Sequence, residues 1–211
     1  MKNKYIIFDL DDTLVYEIDF LKSAYHEIAL SLSDESLCEL MLEKYTKGEN
    51  VFEYLSSIYK VDISTLLEQY RNHFPNIELM EGAKEILAFC KKNNFKLGLI
   101  TDGRSITQRN KLKALNIENL FDKIVISEEF GSSKPNERNF KAFIEEGISE
   151  YFYIADNPKK DFITPNKLDW TSICLLNKGN NIHQQKFNLK IGFLPKHNIK
   201  SLFDLKSILM K

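Results

Sequence analysis

The chain has 211 residues, 43% hydrophobic and 28% charged, with eight glycines and five prolines; this suits a folded chain with a real core and excludes low-complexity or collagen-like architectures. Its 29 basic and 30 acidic residues leave a formal net charge of −1, so no basic field exists for a nucleic-acid backbone or an anionic lipid surface, and neither is expected as a partner. No apolar run approaches the roughly 20 residues of a membrane span. The opening MKNKYIIFDLDD is cut by Asp9 before it could serve as a secretion signal, and Cys38, Cys90 and Cys174 sit beside Leu, Phe or Ile as buried hydrophobes would in a reducing compartment. A cytoplasmic location is the expectation.

In chain order, Tyr5 to Leu10 is a short apolar run that predicts a buried strand. About sixty residues follow with helical periodicity, in segments such as FLKSAYHEIALSL, DESLCELMLEKY, NVFEYLSSIYK and DISTLLEQYRNHF, with Asp34 and Asp62 at expected helix N-caps. Tyr25, Phe52 and Tyr54 read as the core of this helical insertion. The helix AKEILAFCKK then leads back to strands at Lys96 to Ile100, Lys123 to Ile126, Tyr151 to Ala155 and Thr171 to Leu176, and SLFDLKSILMK reads as a closing helix. Continuous hydrophobicity in the strands, separated by helices, predicts an α/β fold: a Rossmann-like open, mainly parallel sheet with helices on both faces, plus an inserted all-helical domain.

In such sheets the reacting groups gather beyond the carboxyl ends of the strands. Those ends carry Asp9-Leu10-Asp11-Asp12-Thr13, Thr101-Asp102-Gly103, Ser133-Lys134-Pro135, and Asp156 followed by Asp161. Asp9 and Asp11 are two apart and would project on one side, about 6 to 7 Å apart along an extended chain. Four carboxylates facing one lysine repel one another unless a cation joins them, and all-oxygen donors select a hard ion such as Mg²⁺. With the Thr101 hydroxyl and free backbone amides at Asp102 and Gly103, the set predicts a phosphoryl site.

Four such motifs in this order resemble the haloacid dehalogenase-like (HAD) hydrolase superfamily. FDLDDTL is similar to its first motif, LITDG to the second, SSKP to the third and IADNPKKD to the acidic fourth. The insertion after the first motif resembles the C1 cap of the phosphoglycolate-phosphatase-like subfamily, with 1–14 and 80–211 as catalytic core and 15–79 as cap. The resemblance implies Asp9 as nucleophile, Asp11 as acid/base, Thr101 and Lys134 holding the phosphoryl group, Mg²⁺ on Asp9, the Asp11 backbone carbonyl and Asp156, and Asp161 behind them. It also implies a small phosphorylated metabolite (a sugar phosphate, a nucleotide or a phosphoglycolate-like ester) as substrate. Asp12 and Ala155 stand where many members have Gly.

A phosphomutase shares all four motifs and remains open beside the phosphatase. A phospho-responsive binding module would place its aspartate on a middle strand and carry no cap. Arg104, Gln108, Asn110 and Lys111 read as a solvated helix face, with Arg104 also near enough to touch substrate; Lys47, Gly48 and Asn50 are the specificity candidates of the cap; His26, His73, His183 and His197 are too scattered for a metal motif and read as surface or packing residues.

Overall fold

The computed structural model describes residues 3–211. Among them, six parallel strands form one sheet in the order β3-β2-β1-β4-β5-β6: β1 (Lys4–Phe8), β2 (Lys96–Thr101), β3 (Lys123–Ile126), β4 (Glu150–Ala155), β5 (Thr171–Leu175) and β6 (His197–Ile199). β1 lies between β2 and β4, so the chain first winds outward to β3 and then restarts on the other side of β1. The carboxyl ends of β1 and β4 therefore flank the topological switch point, where a ligand meets no crossover connection.

All five residues of β1 are buried because both faces of the sheet are covered. Ile6 and Phe8 join a core with Leu97, Leu99, Ile154 and Ile173, while Tyr5 and Ile7 join another with Ile100, Tyr153, Phe140 and Phe143. The covering helices are α5 (Ala83–Lys92), α6 (Ser105–Ala114), α7 (Ser127–Phe130), α8 (Glu137–Lys141), α9 (Ile163–Lys167) and α10 (Leu205–Leu209). The expected closing helix begins as a 3-10 turn at Leu202–Asp204, fixed by a capping box between Ser201 and Asp204.

Between β1 and α5 stand α1 (Glu17–Ser31), α2 (Leu37–Thr46), α3 (Val51–Tyr59) and α4 (Ile63–Asn72). They enclose their own apolar cluster, including Leu21, Tyr25, Ile28, Met41, Leu55 and Leu66, with Phe52 and Tyr54 packed against it. Where the chain leaves and re-enters the sheet, the Met80 amide donates to the Leu14 carbonyl at 2.8 Å. Asp62 holds the N-cap position of α4, but Ser36 and not Asp34 holds that of α2. The Asp34 carboxylate instead accepts from the Ser36 amide and the Tyr59 hydroxyl, a turn between helices that the simple capping pattern does not distinguish.

β6 has no sequence signal because its three residues, His-Asn-Ile, carry no apolar run; as an edge strand it buries only Ile199. The solvated reading of α6 is also corrected. Gln108, Asn110 and Lys111 are buried, because α6 is wedged between the sheet and the end of α4, where Asn110 donates to the carbonyls of Asn72 and His73 and Thr107 to that of Arg71. No helix among the described residues is long and apolar enough to cross a membrane.

Gly98 of β2 faces Phe143 so closely that a Cβ there would stand 2.5 Å from the ring and 3.0 Å from Ile7. Gly98→Ala is expected to lower unfolding free energy by about 1–3 kcal/mol through overpacking, read as the midpoint of a urea titration; an unchanged midpoint would show that the Phe143 ring yields freely.

Candidate active site

The loop after β1 turns sharply, with Asp12 at φ 54 in the left-handed region where glycine is at ease. The Asp12 side chain compensates by accepting from the amides of Glu17 and Ile182, tying the start of α1 to the loop that follows β5. Asp9, one residue past β1, is held by its amide, which donates to the Ile154 carbonyl at 2.9 Å, and directs its carboxylate into the switch point. There Asp9 Oδ1 accepts from the Leu10 amide at 2.8 Å and Oδ2 pairs with Lys134 Nζ at 2.7 Å.

Lys134 is buried and pairs also with Asp161 at 2.9 Å. Burial alone would depress its ammonium, but Asp161 and Asp9 outweigh it and hold the group well above the ordinary lysine range. Its own position is set by the backbone, since the Lys134 amide donates to Asp102 Oδ1 at 3.0 Å. Asp161 spends its second oxygen on the Asn157 amide at 3.0 Å, so it braces the loop after β4 as well as the lysine.

Carboxylate oxygens of Asp9, Asp156 and Asp161 lie within 4.8 Å of one another. Burial pushes Asp156 up to about 9, with Asp161 and Asp9 adding repulsion, and it raises Asp9 to about 6 against the pull of Lys134. A buried acid that resists ionisation beside two others is what an all-oxygen cation site looks like without its charge, and the donors are those a hard divalent ion takes. Asp156 Oδ2 accepts from the Asn181 side-chain Nδ2 at 3.0 Å, and Gln185 anchors the same loop by donating to the Asp156 and Leu175 carbonyls, each at 2.7 Å.

Asp9 and Asp156 line a narrow cleft of about 80 Å³ with Asp11, Asp12, Glu17, Thr101, Asp102, Lys160 and His183, and Lys134 and Asp161 lie buried behind Asp9. The expected residues Asp9, Asp11, Thr101, Asp102, Lys134, Asp156 and Asp161 thus come together. The Gly103 amide is not free: it donates to Ser127 Oγ at 2.9 Å because the chain must turn into α6 there. Arg104 points elsewhere, half-exposed and paired with Glu128 at 2.6 Å. Lys47 is exposed and pairs with Glu43 at 2.5 Å, and Asn50 caps α3 by accepting from the Glu53 amide.

Other residues were missed. Lys160 pairs with Asp102 at 3.2 Å and was legible as a cation inside NPKKD. His183, read as a surface residue, lines the cleft 4.0 Å from Glu17; nothing in its local pattern marks it, because the loop from 177 to 185 is placed by long-range bonds to Asp12 and Asp156. Next to the cleft a cavity of about 780 Å³ opens between that loop and the helical insertion, lined by Lys22, Tyr45, Thr46, Asn180 and His183 among others.

A parallel sheet with an aspartate at its switch point, a buried lysine and an acidic cluster define a hydrolase site of the Rossmann-like α/β class. The chain belongs to the haloacid dehalogenase-like hydrolase family, whose profile matches residues 6–174. It is 31% identical to the glyceraldehyde 3-phosphate phosphatase of Methanocaldococcus jannaschii over 82% of this chain and 85% of that one, and 25% identical to the pyrimidine 5'-nucleotidase YjjG of Escherichia coli over the whole of both. The fold is shared with the HAD-hydrolase YfnB of Bacillus subtilis bound to magnesium, at a TM-score of 0.71, 18% identity and 99% coverage of each chain. This chain is a phosphatase-type enzyme of that family.

A carboxyl whose folded value is raised gives its full stabilisation at low pH and loses it as pH climbs from the ordinary 3.8 toward 9, the range set by Asp156. Protein stripped with EDTA should therefore lose thermal stability across that range, and added Mg²⁺ should raise Tm more at pH 8 than at pH 5, where protons compete. A magnesium shift that is the same at both pH values would contradict a site built on Asp156.

Proposed function

We propose that the chain hydrolyses a small phosphate monoester through an aspartyl-phosphate on Asp9, in the cytoplasm and with Mg²⁺ as cofactor. The observation that carries the reading is the buried Lys134 ammonium bound at once to Asp9 and Asp161, with Asp156 completing an acidic triad in the same cleft. Asp9, Asp156 and the Asp11 carbonyl would hold the ion, with Asp161 orienting from behind. When bound, the ion supplies positive charge for the phosphoryl oxygens.

Asp9 attacks phosphorus with its orientation fixed by the Leu10 amide and Lys134; the P–O bond to the leaving group breaks, and the phosphoryl group passes to the Asp9 carboxylate. Asp11 delivers a proton to the departing oxygen, then takes one from the water that cleaves the acyl phosphate, returning Asp9 and releasing phosphate. Lys134 and the Thr101 hydroxyl hold the phosphoryl oxygens throughout, and Lys160 adds a second ammonium on the Asp102 side of the cleft.

Substrate choice is assigned to the insertion, residues 15–79, acting as a lid over the cleft, with core residues 1–14 and 80–211 performing the chemistry. The separate apolar cluster of α1 to α4, the two chain crossings at Leu14 and Met80, and the interdomain movement described for YfnB support this. The cavity between insertion and core supports Tyr45, Thr46 and Lys22 as specificity residues, beside the earlier candidates Lys47, which is paired with Glu43, and Asn50, which caps α3. The relatives named for glyceraldehyde 3-phosphate and pyrimidine nucleotides set the first esters to try.

Phosphate release from three-carbon phosphates, nucleotides and an aryl phosphate should require Mg²⁺ and stop with EDTA. Asp9→Asn should abolish turnover, and Asp11→Asn should slow an alkyl ester by about 10² to 10⁴ fold. Activity that survives in Asp9→Asn would remove it as nucleophile. Tyr45→Phe and Lys22→Ala should change kcat/KM among natural esters while sparing the aryl phosphate; a uniform fall would deny the insertion its selective role.

A further inference from the structure

The proposed acid/base Asp11 is held from the side by α6. Lys111 Nζ pairs with Asp11 Oδ1 at 2.6 Å, and Gln108 Nε2 stands 2.9 Å from Asp11 Oδ2. Lys111 is 3% exposed and its ammonium lies 4.3 Å from the centre of the Phe20 ring of α1, so its charge is committed to this contact and not to solvent. The Gln108 amide nitrogen also faces Thr101 Oγ1 at 2.6 Å and the Asp102 carbonyl at 3.1 Å. The ionised Asp11 carboxyl and the Asp102 carbonyl can only accept, so they fix the nitrogen as the end of the Gln108 amide that faces them, and its two hydrogens are shared among the three oxygens.

Because Thr101 Oγ1 accepts from Gln108, its own proton is left to donate into the cleft. Gly103 makes the arrangement possible: at φ 146 it takes a conformation that a side chain resists, and a Cβ there would stand 3.3 Å from the Gln108 side chain. The same helix, on neighbouring turns, grips the carbonyls at the end of α4 through Thr107 and Asn110.

We propose that Lys111 and Gln108 are positioning residues: Lys111 sets where the Asp11 carboxyl stands relative to the leaving oxygen, and Gln108 sets Asp11 and the Thr101 hydroxyl together. The proposal rests on the phosphatase reading above and adds to it two groups that reach the substrate only through Asp11 and Thr101. If Lys111 acts through Asp11, its removal costs what imperfect proton transfer costs, and nothing more once Asp11 has lost its function.

The test is a double-mutant cycle on the full chain with Mg²⁺, using an aryl phosphate and glycerol phosphate as good and poor leaving groups. Lys111→Met, which keeps length and can still lie on Phe20, is expected to lower kcat for glycerol phosphate by about tenfold or more, to change the aryl phosphate by less than about threefold, and to leave both KM values within about twofold. Lys111→Arg should restore most of the loss. In the Asp11→Asn background, Lys111→Met should have no further effect on either ester. Gln108→Leu should slow both esters by about tenfold, since Thr101 also loses its partner.

Equal slowing of both esters by Lys111→Met, or a cost that persists undiminished beside Asp11→Asn, would overturn the role for Lys111. Wild-type rates in Gln108→Leu would overturn the role for Gln108. Melting each variant separates misfolding from mispositioning, because the leaving-group contrast is read on whichever variants keep the parent Tm, with Lys111→Arg as the second. An inactive parent chain would sink the phosphatase reading itself, whereas an active parent with a uniform Lys111→Met loss sinks this proposal alone.

Discussion

One buried ammonium organises the active end of this molecule. Lys134 reaches Asp9 from the strand-end loop after β3 and Asp161 from the loop after β4, and its amide is tied to Asp102 after β2. Loops from three strands are therefore locked to the aspartate that follows a fourth. Removing the lysine would leave carboxylates facing each other in a medium where unpaired charge costs several kcal/mol, so the site cannot be assembled from the acids alone. The excess of acid over base that survives this pairing is what the proposed cation would offset.

A second layer of contacts turns that cluster into a shaped cleft. Asp12 draws the loop after β5 toward the start of α1, Gln185 fastens that loop to two main-chain carbonyls, and Asn181 meets Asp156. α6 closes the opposite side through Gln108 and Lys111. The left-handed Asp12 fits this account: where a glycine would supply only the turn, the aspartate supplies the turn and two hydrogen bonds, which offset the strain of its backbone.

Much of this was legible in the sequence because it is local. Strand ends carry their own signatures: FDLDDTL and IADNPKKD each combine an apolar run with the acids placed just beyond it, and parallel pairing then brings such ends level, as the register of Phe8 with Leu99 and Ile154 does here. What escaped is set by distance along the chain. Lys111 looks like any exposed helical lysine until α4 and Phe20 cover it, and His183 belongs to a polar loop whose place depends on Asp12, some 170 residues earlier. Arg104 shows the converse, a residue beside a motif that a surface glutamate turns away.

The strand order has a consequence for how the chain matures. Residues 17–72 make helices whose apolar cluster closes among near neighbours, so that part can order while synthesis is still under way. β1 is different, since Tyr5 pairs with Tyr151 and the partner strand leaves the ribosome long after it. Until then the Asp9 carboxylate has neither Asp156 nor Asp161 beside it, and the apolar Tyr5–Phe8 segment offers one open edge to any passing strand. The nascent chain is thus exposed at the very segment on which its chemistry later depends, and the interval between early helices and late sheet closure is when a chaperone has most to protect.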